Sequence, residues 1–220
     1  MAFVIAPSER VTIVGRTGSG KTTLARLLVG GDRNLVVIDP KWRFELPRTQ
    51  LAVGTSRAFA GIWPQRSTRV IYRPDPESNS HDDVDEVFRR VLRWGRTRIL
   101  VDEAMDYATP SVILPAYRRA LTQGRELLVS TVSLTQRPRG IHNILLSEAE
   151  HLFVFDLAVA SDREKVAAIG GDDLAERPRR PYAFWYVGPA TRGSAVHCPP
   201  LRTPTAAPAA PAPSPDAGGT

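Results

Sequence analysis

Cysteine is nearly absent. Cys198 stands alone, so no internal disulfide can form, and the count fits a reducing, cytoplasmic setting. No run of about 18 apolar residues occurs, which excludes an ordinary membrane-spanning helix. The opening MAFVIAPSER lacks the basic segment and long apolar stretch of a secretory signal. His81, His142, His151 and His197 are scattered and, with one cysteine, make no spaced metal-ligand set. No internal repeat is present. Lysine is scarce against arginine, and the net charge is +6 with a pI near 10.0. Such a balance favours polyanions, and the planar arginine fork suits phosphate. A GC-rich genome that encodes arginine in place of lysine gives the same balance, so charge alone does not identify a nucleic-acid partner.

The apolar fraction of 42% supports a core for one domain, expected over residues 1–202. From residue 203 the composition turns to TPTAAPAAPAPSPDAGGT, which has almost no side chain able to build a core. It is expected to be a disordered, semi-extended tail over 203–220.

Before that tail, short apolar strands alternate with helical stretches. The pattern predicts strands at VTIVG (11–15), NLVVIDP (34–40), RVIYRP (69–74), RILVDEA (98–104), ELLVSTVSLTQ (126–136) and HLFVFDL (151–157). It predicts helices over 21–29, 82–95, 111–124 and 161–171, and a terminal hairpin from PYAFWYVG (181–188) and SAVHC (194–198). In 82–95, Val84, Val87, Phe88, Val91 and Leu92 share one helical face, and the acids at its start suit the helix dipole. This alternation is that of an α/β fold: a mostly parallel central sheet with helices on both faces. Ligands in such sheets sit at the carboxyl ends of strands.

The chemistry-bearing motifs fall at those ends. Gly15, Gly20, Lys21 and Thr22 satisfy the spacing G-x-x-x-x-G-K-[ST] in GRTGSGKT. A loop that wraps phosphates must offer backbone N–H groups without side chains in the way, which Gly15, Gly18 and Gly20 allow. The helix that follows presents its positive end to the anion. The nucleotide-binding residues are therefore Gly15, Arg16, Thr17, Gly18, Ser19, Gly20, Lys21, Thr22 and Thr23. Lys21 would reach the β- and γ-phosphates of ATP, and Thr22 would ligand Mg²⁺.

At the end of RILVDEA, Asp102 is placed to support Mg²⁺ opposite Thr22, and Glu103 to polarise an attacking water as general base. Two adjacent acids favour hydrolysis over transfer to a small acceptor, although acids are also common at a strand end before a helix. The strand ending in Thr135-Gln136 places an amide beside the γ-phosphate, where it can sense that group or orient water.

GRTGSGKT, VVIDPKW (36–42), ILVDEA and STVSLTQRPRGI, in that order, resemble the HerA–FtsK branch of P-loop ATPases over roughly residues 10–160. That branch includes DNA translocases, conjugation-type motors and viral genome-packaging ATPases. The resemblance implies the RecA-like sheet with an additional strand, Gln136 as sensor, and Asp39 and Lys41 in contact with the nucleotide region. It implies a homo-oligomeric ring in which an arginine acts in trans. Arg118, Arg119, Arg125, Arg137 and Arg139 are candidates, and Arg125, just before the sensor strand, is preferred. The larger members carry a barrel, a membrane anchor or a winged-helix reader, none of which is expected here. The chain thus looks like a small viral packaging ATPase acting in the host cytoplasm. Double-stranded DNA would be its track, a capsid or portal protein its docking partner, and no membrane insertion is expected.

Trp42, Trp63, Trp94 and Trp185 could stack on bases but suit core or edge positions better, with Trp42 and Arg43 next to the Asp39–Lys41 element. Two other functions use the same loop: a kinase for a small molecule or nucleoside, and a nucleotide-gated assembly module without turnover.

Overall fold

The computed structural model describes residues 3, 5–62, 67–77 and 81–201. Trp63 and the 203–220 tail lie outside the described residues. The described strands are β1 (Val11–Val14), β2 (Asn34–Ile38), β3 (Gln50–Gly54), β4 (Thr68–Pro74), β5 (Arg98–Asp102), β6 (Ser130–Thr135), β7 (His151–Val154), β8 (Phe184–Val187) and β9 (Val196–Cys198). The helices are α1 (Lys21–Val29), α2 (Ser56–Ala60), α3 (His81–Trp94), α4 (Pro115–Gln123), α5 (Ile144–Ser147) and α6 (Ala160–Gly170).

All nine strands form one sheet in the order β3-β4-β2-β5-β6-β1-β7-β8-β9. Neighbours from β3 to β7 pair in parallel, and β8 pairs antiparallel with both β7 and β9. The expected terminal hairpin is therefore β8–β9. One strand, β6, is inserted between β1 and β5, which is the additional-strand arrangement.

Period-2 alternation splits the core. Val36, Ile38, Ile99 and Val101 face α2 to α6, with Phe59, Val84, Val87, Phe88, Val91 and Val166. Val11, Ile13, Leu35, Val37 and Leu100 face α1, through Leu24, Ala25 and Val29. A sheet covered on both faces must read as nearly unbroken apolar runs, which these strands do. On α3 the five expected residues are buried, and Phe88 stacks on Tyr117 of α4 with ring centroids 4.6 Å apart. Burial of rings of this size is worth about 1.5–3 kcal/mol each.

Some boundaries differ from the sequence expectation. The helix expected from 111 begins at Pro115, where proline's missing N–H costs nothing. The N–H of Ala116 is instead capped by Asp85 of α3, whose Oδ1 accepts it at 2.7 Å. Residues 126 and 127 belong to a 3₁₀ turn, Gly124–Leu127, and only Ser130–Thr135 is strand. The pattern also missed β3, α2 and α5. Among the described residues no helix is long and apolar enough to cross a membrane. Trp185 is buried, and Trp94 stacks on Phe59 at 5.1 Å, so both are core aromatics.

Candidate functional site

Parallel pairing aligns the carboxyl ends of β1, β5 and β6, and the loops that leave them meet. After β1 the chain turns through Gly15 (φ 156°), Gly18 (φ 75°) and Gly20 (φ 107°) before α1 starts at Lys21. A Cβ on Gly15 would lie 2.6 Å from Phe155 Cβ and 2.7 Å from Ser19 Oγ, so close approach as well as backbone angle demands glycine there. The loop is moored to the end of β7. Arg16 N donates to the Asp156 carbonyl at 2.8 Å, and Arg16 Nε to the Asp156 carboxylate at 2.6 Å.

Lys21 Nζ donates to the carbonyls of Gly15 (2.6 Å) and Arg16 (3.0 Å), so the cation lies across the mouth of the loop. Burial pushes its pKa down to about 8, against the pull of Glu103 and with a smaller push from Lys41. Thr17, Gly18, Lys21, Thr22, Lys41, Arg43, Asp102, Glu103, Leu134 and Gln136 line one cavity of about 560 Å³. That volume suits a small ligand.

Asp102 closes β5, and Glu103 turns out of it at φ 100°, a strained angle for a residue with a side chain. The turn buries the Glu103 carboxylate among four donors. Oε2 accepts from Lys41 Nζ (2.6 Å) and Gln136 Nε2 (3.0 Å), and Oε1 from Thr135 Oγ1 (3.3 Å) and Gln136 N (3.5 Å). Gln136 Oε1 in turn accepts from Thr17 Oγ1 at 2.5 Å. One amide thus links the phosphate loop to the carboxylate.

The Asp102 carboxyl is pushed above its ordinary range, chiefly by burial. Asp39 and Glu103 add to the shift, while Lys41 and Lys21 oppose it. A half-buried carboxylate repelled by two others, sharing a cavity with the Thr22 hydroxyl, suits a hard divalent cation with oxygen ligands. The donor set therefore fits Mg²⁺.

Asp39 and Lys41, expected together near the nucleotide, divide their work. Asp39 is fully buried and accepts from Arg43 N, Phe44 N and Arg73 Nε at 3.1, 2.9 and 3.1 Å. It shapes the turn after β2. Lys41, carried on that turn, reaches Glu103. The chain's lysines are Lys21, Lys41 and Lys165, and two of the three face this cavity. That concentration in an arginine-biased sequence was a usable signal. Arg43 lines the cavity, whereas Trp42 is largely exposed with Nε1 donating to the Pro74 carbonyl at 3.1 Å.

The arginines sort by position. Arg125 lies in the 3₁₀ turn that precedes β6, and six strand residues separate that end from Gln136, roughly 20 Å. The structure does not bring Arg125 to the chain's own site. Its exposed side chain could serve only another copy's site. Arg118 and Arg119 are exposed on α4. Arg137 Nε donates to buried Asp162 of α6 at 2.7 Å, and Arg139 N to the same carboxylate at 2.9 Å, which fixes the loop after Gln136. The sequence reading missed a second basic cluster. Arg177, Arg179 and Arg180 flank the phosphate loop beside Arg16, and Arg177 Nε pairs with Asp156 at 2.8 Å.

No established sequence-family profile matches the chain. It is 26% identical over 182 residues to the DNA packaging ATPase P9 of Enterobacteria phage PRD1, which covers 79% of this chain and 75% of that protein. Among solved structures, the genome packaging NTPase B204 of Sulfolobus turreted icosahedral virus 2, in complex with AMPPCP, superposes with a TM-score of 0.72. The match covers 90% of this chain and 100% of B204 at 17% identity. VirB4 of Thermoanaerobacter pseudethanolicus superposes with a TM-score of 0.63 at 13% identity, over 91% of this chain and 94% of that one. The likeness to a viral packaging ATPase is thus found in sequence, and the fold is shared with B204 and VirB4.

Proposed function

We propose that this chain hydrolyses ATP to move double-stranded DNA, and that it does so as a homo-oligomeric ring packaging a viral genome into a capsid. The observation that carries the reading is the single cavity in which Lys21 and Thr22 face Asp102, Glu103 and Gln136. The likeness to the phage PRD1 packaging ATPase supports DNA packaging among the uses of such a site.

In this reading the backbone of residues 15–20 cradles the phosphates, with Lys21 on the β- and γ-groups and Thr23 toward the α-phosphate. Thr22 and Asp102 would hold Mg²⁺, which would supply positive charge against that developing on the transferred group. Glu103 accepts a proton from the attacking water. Lys41, Thr135 and Gln136 fix the direction of its carboxylate, so no reorientation is needed at the moment of reaction. Loss of the γ-phosphate is felt through Gln136, which ties Thr17 to Glu103 and so couples the loop to the end of β6. An arginine from a neighbouring subunit, Arg125 in the sequence-based assignment, completes the site. Basic side chains hold DNA by its phosphates without reading sequence.

The test is ATP turnover with and without double-stranded DNA at low salt. Stimulation that falls steeply as salt rises is expected. Turnover indifferent to DNA at every salt concentration would remove the translocase reading and leave an ATPase.

A further inference from the structure

A second cavity lies on the other side of the phosphate loop. The strand β1 stands between β6 and β7, and the hydrolytic groups lie on the β6 side. On the β7 side, Gly20, Thr23, Phe155, Tyr182, Pro200 and Leu201 enclose about 230 Å³. A triphosphate has polarity. With its γ end toward Asp102, Glu103 and Gln136, its nucleoside must leave the loop in the opposite direction, past Thr23 and into this space.

The lining suits a flat aromatic guest. Phe155 is buried beneath Gly20, with a ring carbon 3.2 Å from where a Cβ on that glycine would stand. Tyr182 forms the outer wall. It is 61% exposed, yet its backbone sits at φ 62°, a conformation disfavoured for a tyrosine and not offset by burial of the ring. Pro200 and Leu201, just after β9, close the far side. Thr23 and Tyr182 alone among these residues bring side-chain polar atoms, so the cavity offers faces for stacking and little with which to read the edge of a base.

We propose that this cavity holds the purine base of the bound nucleoside triphosphate, stacked on Tyr182, and that it accepts ATP and GTP with similar affinity. The inference rests on the ATPase reading. Base–aromatic stacking tolerates any purine because each has a π-face, and its loss on alanine substitution corresponds to about tenfold or more in Kd.

The experiment is calorimetric titration of the full chain with ATP, GTP and inorganic tripolyphosphate in the presence of Mg²⁺, for wild type, Tyr182→Ala and Tyr182→Phe. Wild type should bind ATP and GTP within about threefold of each other. Tyr182→Ala should weaken both about tenfold and leave tripolyphosphate unchanged, while Tyr182→Phe should keep wild-type affinity. Unchanged ATP affinity in Tyr182→Ala would overturn the proposal, as would an equal loss for tripolyphosphate, which would mean a damaged loop. A wild-type preference of more than about a hundredfold for one purine would also overturn it, because stacking alone cannot supply that discrimination. Wild type that binds none of the three would overturn the ATPase reading, and this inference with it.

Discussion

The ammonium of Lys41 lies 2.6 Å from Glu103 Oε2, although 62 residues separate the two in sequence. The carboxylate is buried while Lys41 is 37% exposed, so the pair orients one oxygen without sealing it from the cavity. Replacement of Lys41 by Met removes that orientation and a positive charge beside Asp102. ATP turnover should fall about 10²-fold, the lower range for a mispositioned general base. Glu103 keeps its hydrogen bonds from Gln136 and Thr135, so the buried carboxylate is not left unpartnered and Tm should fall by only a few degrees. Steady-state kinetics with a melting curve checks both. A collapse of Tm matching the loss of turnover would mean that Lys41 is structural.

Glu103→Gln keeps the size of the side chain and one accepting oxygen, but its amide nitrogen cannot accept from the donors on the other side and the group cannot take a proton. ATP binding should persist, while hydrolysis drops about 10³-fold. The same variant separates hydrolysis from phosphoryl transfer to a small acceptor, which needs no base beside the Mg²⁺ aspartate. Hydrolysis at wild-type rate in this variant would remove Glu103 from the mechanism.

Gln136 is the link between loop and carboxylate. Gln136→Ala breaks the 2.5 Å contact from Thr17 and the 3.0 Å contact to Glu103 together. ATP affinity, set by the loop backbone and Lys21, should change less than threefold, whereas kcat should fall about tenfold or more, as for loss of an oriented catalytic hydrogen bond. A KM effect without a kcat effect would assign Gln136 to binding alone.

Local signals were legible in the sequence. Glycine spacing and the apolar runs on either side of it located β1, the loop and α1, and helical periodicity located α3. What failed depends on distant chain. Strand β3 was missed because it lies at the sheet edge, where Leu51 and Val53 are exposed and only Ala52 is buried, so its pattern carries little signal. Arg125, assigned to act in trans, lies at the end of β6 opposite Gln136, and nothing within a single chain marks which arginine reaches a neighbouring copy. The positive φ of Glu103 has no mark in VDEA. The Arg16–Asp156–Arg177 cluster joins segments 140 and 21 residues apart along the chain, beyond any motif.

Acid should loosen the end of the molecule where β1 and β7 begin. Arg10 binds Glu150 through its own backbone N–H (2.7 Å), through Nε (2.9 Å) and through Nη2. Burial pushes the Glu150 carboxyl up, but the hydrogen bonds and charge of Arg10 outweigh it and hold the group below its ordinary range. A carboxyl depressed in the folded state adds stability that is fully present above the unfolded value, about 4.3, and is lost as pH falls through the lower folded value. Wild-type Tm should therefore decline as pH drops below about 5. Glu150→Gln lacks this titrating group. It should be less stable than wild type at pH 7 by about 1–2 kcal/mol, a few degrees in Tm, and the gap should narrow toward pH 3 as wild type loses its own pairing. Scanning calorimetry of both proteins across this range reads the gap directly. Melting curves that stay parallel at every pH would show that the Arg10–Glu150 pair contributes no pH-dependent stability.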